Sequence, residues 1–317
     1  MQRAEAQLQP AREVPAHELV ELTARLRTRL AERGEPLAPG WPELAAERLR
    51  TGEIDGWVAR QGDQWAGLVV VSRRASRAYG HLHIESPDDR VGLALRLLLH
   101  AVSALGPDVH RADFGSTGLA MAEERRLADQ LGTRPGFEIV ERFGLIRPLS
   151  LDAPPVAPKL PEGYEFLPVG SAPVDALDQL DRRAFQGGPD EALVADSPGG
   201  NQRVLERILD GELGRFLPEA STVVLLENAL AGFLLTTEEN ARVASFADLA
   251  VDPGYRRRGI AGAMLGRGMR ALLALGYSSV RLWVTAANVP ARELYRSLGF
   301  EPERTALLFR WWAGRRP

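Results

Sequence analysis

Val251–Gly276 reads VDPGYRRRGIAGAMLGRGMRALLALG: three consecutive arginines, a glycine, then a long run with helical spacing of its apolar residues. The preceding SFADLAV alternates like a strand, so the stretch is a strand, a turn and a helix start. The first turn of a helix has free backbone N–H groups and the positive end of the macrodipole, and both already favour anions. Three like charges crowded there predict that an anionic ligand arrives, a phosphate or pyrophosphate. Gly259, Ala261 and Gly262 carry little or no side chain and leave the backbone accessible. Arg256, Arg257 and Arg258 add charge-assisted bonds to the same oxygens. Neither G-x-x-x-x-G-K-[ST] nor a G-x-G-x-x-G following a strand occurs, so nothing supports a Walker-type or dinucleotide assignment.

The elements around this turn form two series in similar order. A proline-rich segment, Leu151–Tyr164, contains Pro154, Pro155, Pro158 and Pro161 and interrupts regular structure. After it come a short strand at GYEFLPV, helices at VDALDQLDRRAF and NQRVLERILDGEL, and three strands, the first two joined by a tight turn at Asn228 and Ala229. The arginine turn and its helix follow, then strand VRLWVTAAN, helix PARELYRSL closed by Gly299, and a final strand pair around TALLFRWW. Residues 1–150 repeat this order. The expected class is α/β with an α+β-like mixed sheet, in tandem: a domain over 1–150, a linker over 151–163 and a domain over 164–317.

Composition narrows the function classes. The 317 residues carry a net charge of −3, shared evenly between the halves, so neither nucleic-acid nor membrane-surface binding has an electrostatic footprint. Cysteine is absent, which excludes disulfides, cysteine nucleophiles and thiolate metal sites. No signal-like or membrane-spanning run occurs, and a cytoplasmic chain is expected. Lys159 is the sole lysine; arginine supplies the rest of the positive charge.

Two segments carry a resemblance. LAVDPGYRRRGIAGAML resembles motif A of the Gcn5-related N-acetyltransferase (GNAT) superfamily: Gln or Arg, two residues, Gly, one residue, then Gly or Ala, here Arg256, Gly259 and Ala261. NVPARELYRSLGF, Asn288–Phe300, resembles its motif B. The resemblance implies two tandem GNAT-like domains, each a mostly antiparallel mixed sheet flanked by helices. It implies acetyl-CoA as acyl donor, with no metal. The arginine turn, Ile260 included, would take the CoA pyrophosphate, and the backbone of Leu249, Ala250 and Val251 would pair with pantetheine. Asn288 would contact CoA, and Tyr295 would stand near the sulfur as the acid that protonates the leaving thiolate. Asp248 sits in an acidic-Leu-x-Val pattern and is the candidate base or substrate-ammonium ligand; Ser245 stands where other members place the acid.

In the first half the matching junction is HIESPDDRVGLALRLLLHAV, where Asp88 and Asp89 replace the arginines and would repel a pyrophosphate. No Asn and Tyr follow at the motif B spacing. Residues 1–150 are therefore expected to be a degenerate copy without CoA binding. His81, His83 and Glu85 share a strand face, with His110 as a possible fourth metal ligand, although a polar solvent or interdomain face explains them as well.

The function expected is acyl-CoA-dependent N-acylation of a small-molecule primary amine by direct attack in a ternary complex. Acetylation of protein N-termini or lysines, and a CoA-binding sensor or scaffold without turnover, are the alternatives. Arg182–Asn201 is expected to shape the acceptor site as a mobile lid. The chain is read as a monomer or homodimer.

Overall fold

The structure, a computed structural model, describes residues 6–32, 40–74, 76–152, 156, 158–191 and 200–314. It divides into two compact units, Met1–Glu141 with Ala306–Pro317, and Arg142–Thr305. These limits differ from the expected domains: the division falls at residues 141–142 and again at 305–306, not in the proline-rich segment.

In the first unit β1 (Gln7–Pro10), β2 (Asp55–Gln61), β3 (Gln64–Arg74), β4 (Arg77–Ile84) and β5 (Arg111–Thr117) lie side by side in chain order. All neighbours are antiparallel except β4 and β5. Alternation along the strands supplies two cores. Val58 and Leu68 pack with Leu19, Leu22 and Leu26 of α1 (Ala16–Glu32) and Leu49 of α2 (Trp41–Thr51). On the opposite face Leu82 and Phe114 pack with Leu93 and Leu97 of α3 (Arg90–Ser103) and Leu127 of α4 (Met121–Gly132).

β6 (Phe137–Pro148) belongs to the first unit up to Glu141 and to the second from Arg142. The second unit repeats the plan with β7 (Tyr164–Leu167), α5 (Val174–Phe185), α6 (Gly200–Leu209), β8 (Thr222–Leu226), β9 (Ala229–Asn240), β10 (Val243–Val251), α7 (Ile260–Ala274), β11 (Ser279–Thr285) and α8 (Val289–Ser297). Its strand order is β7-β8-β9-β10-β11-β6, with β10 and β11 the parallel pair. Arg142–Pro148 pairs antiparallel with Ser279–Thr285 and closes this sheet.

The expected final strand pair is one continuous strand, β12 (Glu301–Trp312). Its last residues, Phe309–Trp312, pair with Arg111–Phe114 and complete the first unit's sheet. Phe309 is fully buried there, and the Arg310 guanidinium donates to Asp113 at 2.7 Å. The β8–β9 hairpin turns at Glu227 and Asn228, one residue earlier than expected. Both have positive φ, 50° and 76°, as a two-residue type I′ connection requires.

One register difference separates the units. In the first, β4 and β5 stay paired over seven residues, Arg77–His83 against Arg111–Thr117. In the second, the parallel pairing stops after Val243–Ser245 against Ser279–Arg281, although both strands continue for several residues.

Each sheet thus takes its sixth strand from beyond the proline-rich segment. Expressed alone, residues 164–317 lack Arg142–Pro148 and leave β11 with an open edge. We expect this fragment to aggregate or remain unfolded, by circular dichroism and size-exclusion chromatography, while the full chain folds.

Candidate active site

Where β10 and β11 part, a cleft of about 940 Å³ opens, within the roughly 300–1,000 Å³ usual for small-molecule sites. One wall is Phe246–Val251 of β10 and the other is Leu282, Trp283 and Val284 of β11. Among the described residues, no strand pairs with β10 on the β11 side beyond Ser245. A row of backbone groups therefore faces the cleft, suited to pairing with an extended ligand.

A β-bulge aims the side chains of this wall. Phe246 pairs with Thr236 and Asp248 with Leu235, so Ala247 is the extra residue. Ala244, Phe246, Leu249 and Val251 all pack toward α7, whereas Ala250 joins the core under α5 and α6. By alternation Asp248 lies on the α5 side with Ala250. It keeps some surface in the cleft but is otherwise walled by protein. That desolvation pushes its carboxyl up to about 7, against the partly offsetting hydrogen bond from the Leu249 N–H.

At the other end lies the turn before α7. Gly259 has φ of 82° and is the N-cap of the helix, a left-handed conformation that glycine adopts without strain. Gly259, Ile260, Ala261 and Gly262 line the cleft there. The three arginines do different things. Arg256 donates to the carbonyls of Ala184 and, at 3.3 Å, Val251, tying α5 to the turn. Arg257, at φ of 63°, is exposed beside the cleft. Arg258 lies off the lining: it donates to the Tyr164 hydroxyl at 2.8 Å and the Gly254 carbonyl at 3.3 Å and stacks over Tyr255. The Pro158 ring packs beside the turn, so that a Cβ added at Gly262 would meet its Cγ at 2.8 Å.

α8 closes the third side. The Asn288 Oδ1 accepts from the Ala291 N–H at 3.2 Å, capping the helix, and its Nδ2 donates to the Asp190 Oδ2 at 2.6 Å. The side chain expected to contact CoA is thus committed to the protein. Tyr295, on the same helix, is buried at 9% exposure, packs edge-on against Phe300 at 5.9 Å and lines the cleft. Burial raises its hydroxyl pKa above the usual range, and the charges of Asp190 and Asp248 raise it further.

All the expected site residues except Arg258 therefore border one cleft. Asp190 and Asp181 also line it, and sequence reasoning did not single them out: neither lies in a motif. Of the expected lid, Arg182–Phe185 is helical, and residues 192–199 lie outside the described residues. Glu238 and Glu239 lie near the end of β9. Glu238 accepts from Arg215 at 2.5 Å, and Glu239 from Arg281 at 2.7 Å.

In the first unit His83 is fully buried, with Nδ1 3.0 Å from the Thr117 hydroxyl and Nε2 3.0 Å from Glu85. No group of three metal-ligating side chains occurs among the described residues. Asp89 caps α3, its carboxylate accepting from the Gly92 N–H at 3.2 Å.

Residues 177–300 match the acetyltransferase (GNAT) family. A mycothiol acetyltransferase from Propionibacterium freudenreichii subsp. shermanii is 27% identical over 247 residues, covering 77% of this chain and 73% of that one. Among solved structures, a tandem GNAT protein from the clavulanic acid biosynthesis pathway superposes with a TM-score of 0.63 at 19% identity, covering 99% of this chain and 100% of its own. A GCN5-related N-acetyltransferase from Sphaerobacter thermophilus gives 0.62 at 19%, covering 98% and 96%. Both show the fold.

Asn288→Ala removes the α8 cap and the Asp190 partner together. We expect a loss of about 1–3 kcal/mol in chemical denaturation.

Proposed function

We propose that this chain, whose residues 177–300 match the acetyltransferase (GNAT) family, is an N-acetyltransferase that moves the acetyl group of acetyl-CoA to a primary amine of a small molecule. The observation that carries the reading is the polarity of one cleft. A helix start and Arg257 line it together with carboxylates and a buried tyrosine, and a strand edge left unpaired by β11 runs along it. The mycothiol acetyltransferase relatives support a small-molecule acceptor.

The backbone N–H groups at Gly259–Gly262 and the Arg257 guanidinium hold the pyrophosphate. The open edge of β10 at Leu249–Val251 pairs with the pantetheine amides and presents an N–H to the thioester oxygen, where negative charge develops. Asp248, near 7, takes a proton from the acceptor ammonium at neutral pH. The freed nitrogen attacks the acetyl carbon; the C–N bond forms, the C–S bond breaks, and Tyr295 gives its proton to the departing sulfur. The second proton on the new amide nitrogen leaves to solvent, Tyr295 regains one from solvent, and Asp248 releases the one it took, so that one proton is released overall.

The first unit does not take part in CoA binding in this reading. Its parallel strands remain paired where the second unit opens, and the Asp89 carboxylate occupies the start of α3.

Isothermal titration with acetyl-CoA should show one site per chain, lost in the double variant Arg256→Ala/Gly259→Trp. Two sites would assign CoA binding to the first unit as well, and none would remove the enzyme reading.

Once an amine substrate is in hand, Tyr295→Phe should lower kcat by about 10²-fold or more with little change in acetyl-CoA affinity. A base must be deprotonated to act, so kcat/KM should fall as pH drops through about 7. That inflection should vanish in Asp248→Asn; an unchanged pH profile in this variant would clear Asp248 of the role.

A further inference from the structure

Asp190 is a buried carboxylate that the reaction outlined above does not use. It is 7% exposed, lies on the cleft wall with Asp248 and Tyr295, and its charge acts on the Tyr295 hydroxyl. Asn288 Nδ2 holds its Oδ2 at 2.6 Å, which fixes the plane of the carboxylate against the start of α8. Its Oδ1 is buried without a hydrogen-bond partner among the described residues. A buried carboxylate oxygen left unsatisfied is costly, and within a ligand cleft the cost is offset when a donor arrives with the ligand. The donor that best matches an anionic oxygen is a cationic N–H group.

We propose that Asp190 Oδ1 is the acceptor-recognition group of this cleft, and that the acceptor enters as a primary ammonium bound between Asp190 and Asp248. The inference rests on the acetyltransferase reading and deepens it by giving each carboxylate one task. Asp248 removes one proton from the ammonium. Asp190 accepts a remaining N–H, and it faces the positive charge that the nitrogen acquires as it bonds to the acetyl carbon. An alcohol or a thiol brings no such charge, so the site discriminates in favour of amines. Asn288 is then a positioning residue: it acts through Asp190 and touches no reacting atom.

The test needs no knowledge of the natural acceptor. The mixed disulfide of CoA and cysteamine carries an ammonium two carbons beyond the sulfur pair, and the mixed disulfide of CoA and 1-propanethiol has a methyl group in place of that ammonium. Isothermal titration of both probes into the full chain at neutral pH should show the ammonium probe binding about tenfold tighter or better. Asp190→Asn keeps an oxygen for Asn288 and removes the charge; it should shrink the margin below about threefold and leave free CoA affinity unchanged. Asp190→Glu should restore part of the margin.

Equal binding of the two probes by the unmodified chain would overturn the proposal, as would a margin that survives in Asp190→Asn. Loss of free CoA binding in Asp190→Asn would also overturn it, because the carboxylate would then serve α8 and the CoA site instead of the acceptor. Failure of the unmodified chain to bind either probe or free CoA would instead overturn the acetyl-CoA reading, and this inference with it.

Discussion

The end of hydrogen bonding between β10 and β11 after Ser245 and Arg281 is the constraint on which the second unit depends. Two parallel strands that separate while still extended leave polar backbone on both inner edges, and a buried unpaired N–H or carbonyl costs as much as a lost hydrogen bond. The unit accepts that cost along one line only. Around it β9 holds β10 from the other side as far as Val251, and Arg142–Pro148 holds β11 along its whole length. The bulge at Ala247 follows from the same opening: it reverses the alternation so that a carboxylate, not an apolar side chain, reaches the α5 side of the cleft.

The first unit shows what the same plan gives without the separation. Seven paired residues join β4 to β5, and His83 bridges from Thr117 to Glu85. At the start of α3 the chain supplies its own anion: Asp89, at φ of 42°, turns its carboxylate onto the Gly92 N–H. A Cβ on Gly92 would lie 2.3 Å from that carboxylate, so the glycine that keeps the second unit's turn accessible here makes room for an internal cap. A glycine pattern alone therefore does not distinguish a ligand site from a closed turn; the residues flanking it do.

Much of this was legible in the sequence because it is local. The strand, turn and helix at Val251–Gly276 follow from periodicity and glycine placement. The cleft position of Tyr295 follows from its motif. What was not legible is long-range. Nothing in TALLFRWW tells that Phe309–Trp312 pairs with β5, or that residues 142–148 pair with β11, because both segments read as ordinary strands and pairing partners are set by topology. Arg258 could not be separated from its neighbours by spacing, since the positive φ at Arg257 is what sends successive side chains in different directions. The sequence points to Arg182–Asn201 as shaping the acceptor site but does not tell Asp190 apart from that segment's other carboxylates, because what fixes its orientation is Asn288, ninety-eight residues away in the chain.

The two carboxylates and the tyrosine form one electrostatic unit, and this resolves an apparent conflict in the chemistry. A hydroxyl raised above its usual pKa is a reluctant acid, and a thiol of ordinary pKa near 8.5 yields a thiolate too weakly basic to take its proton readily. Part of the rise comes from the negative charges of Asp190 and Asp248. In the proposed reaction a cation bound between them offsets those charges and removes that part of the rise while an acceptor occupies the cleft; the larger part, from burial, remains. In that reaction, Tyr295 is the weaker acid when no acceptor is bound, because both carboxylate charges then act on it. On the proposed mechanism the buried carboxylates thus have a second consequence beyond recognition: they couple proton delivery to sulfur to the presence of the amine that is to receive the acetyl group.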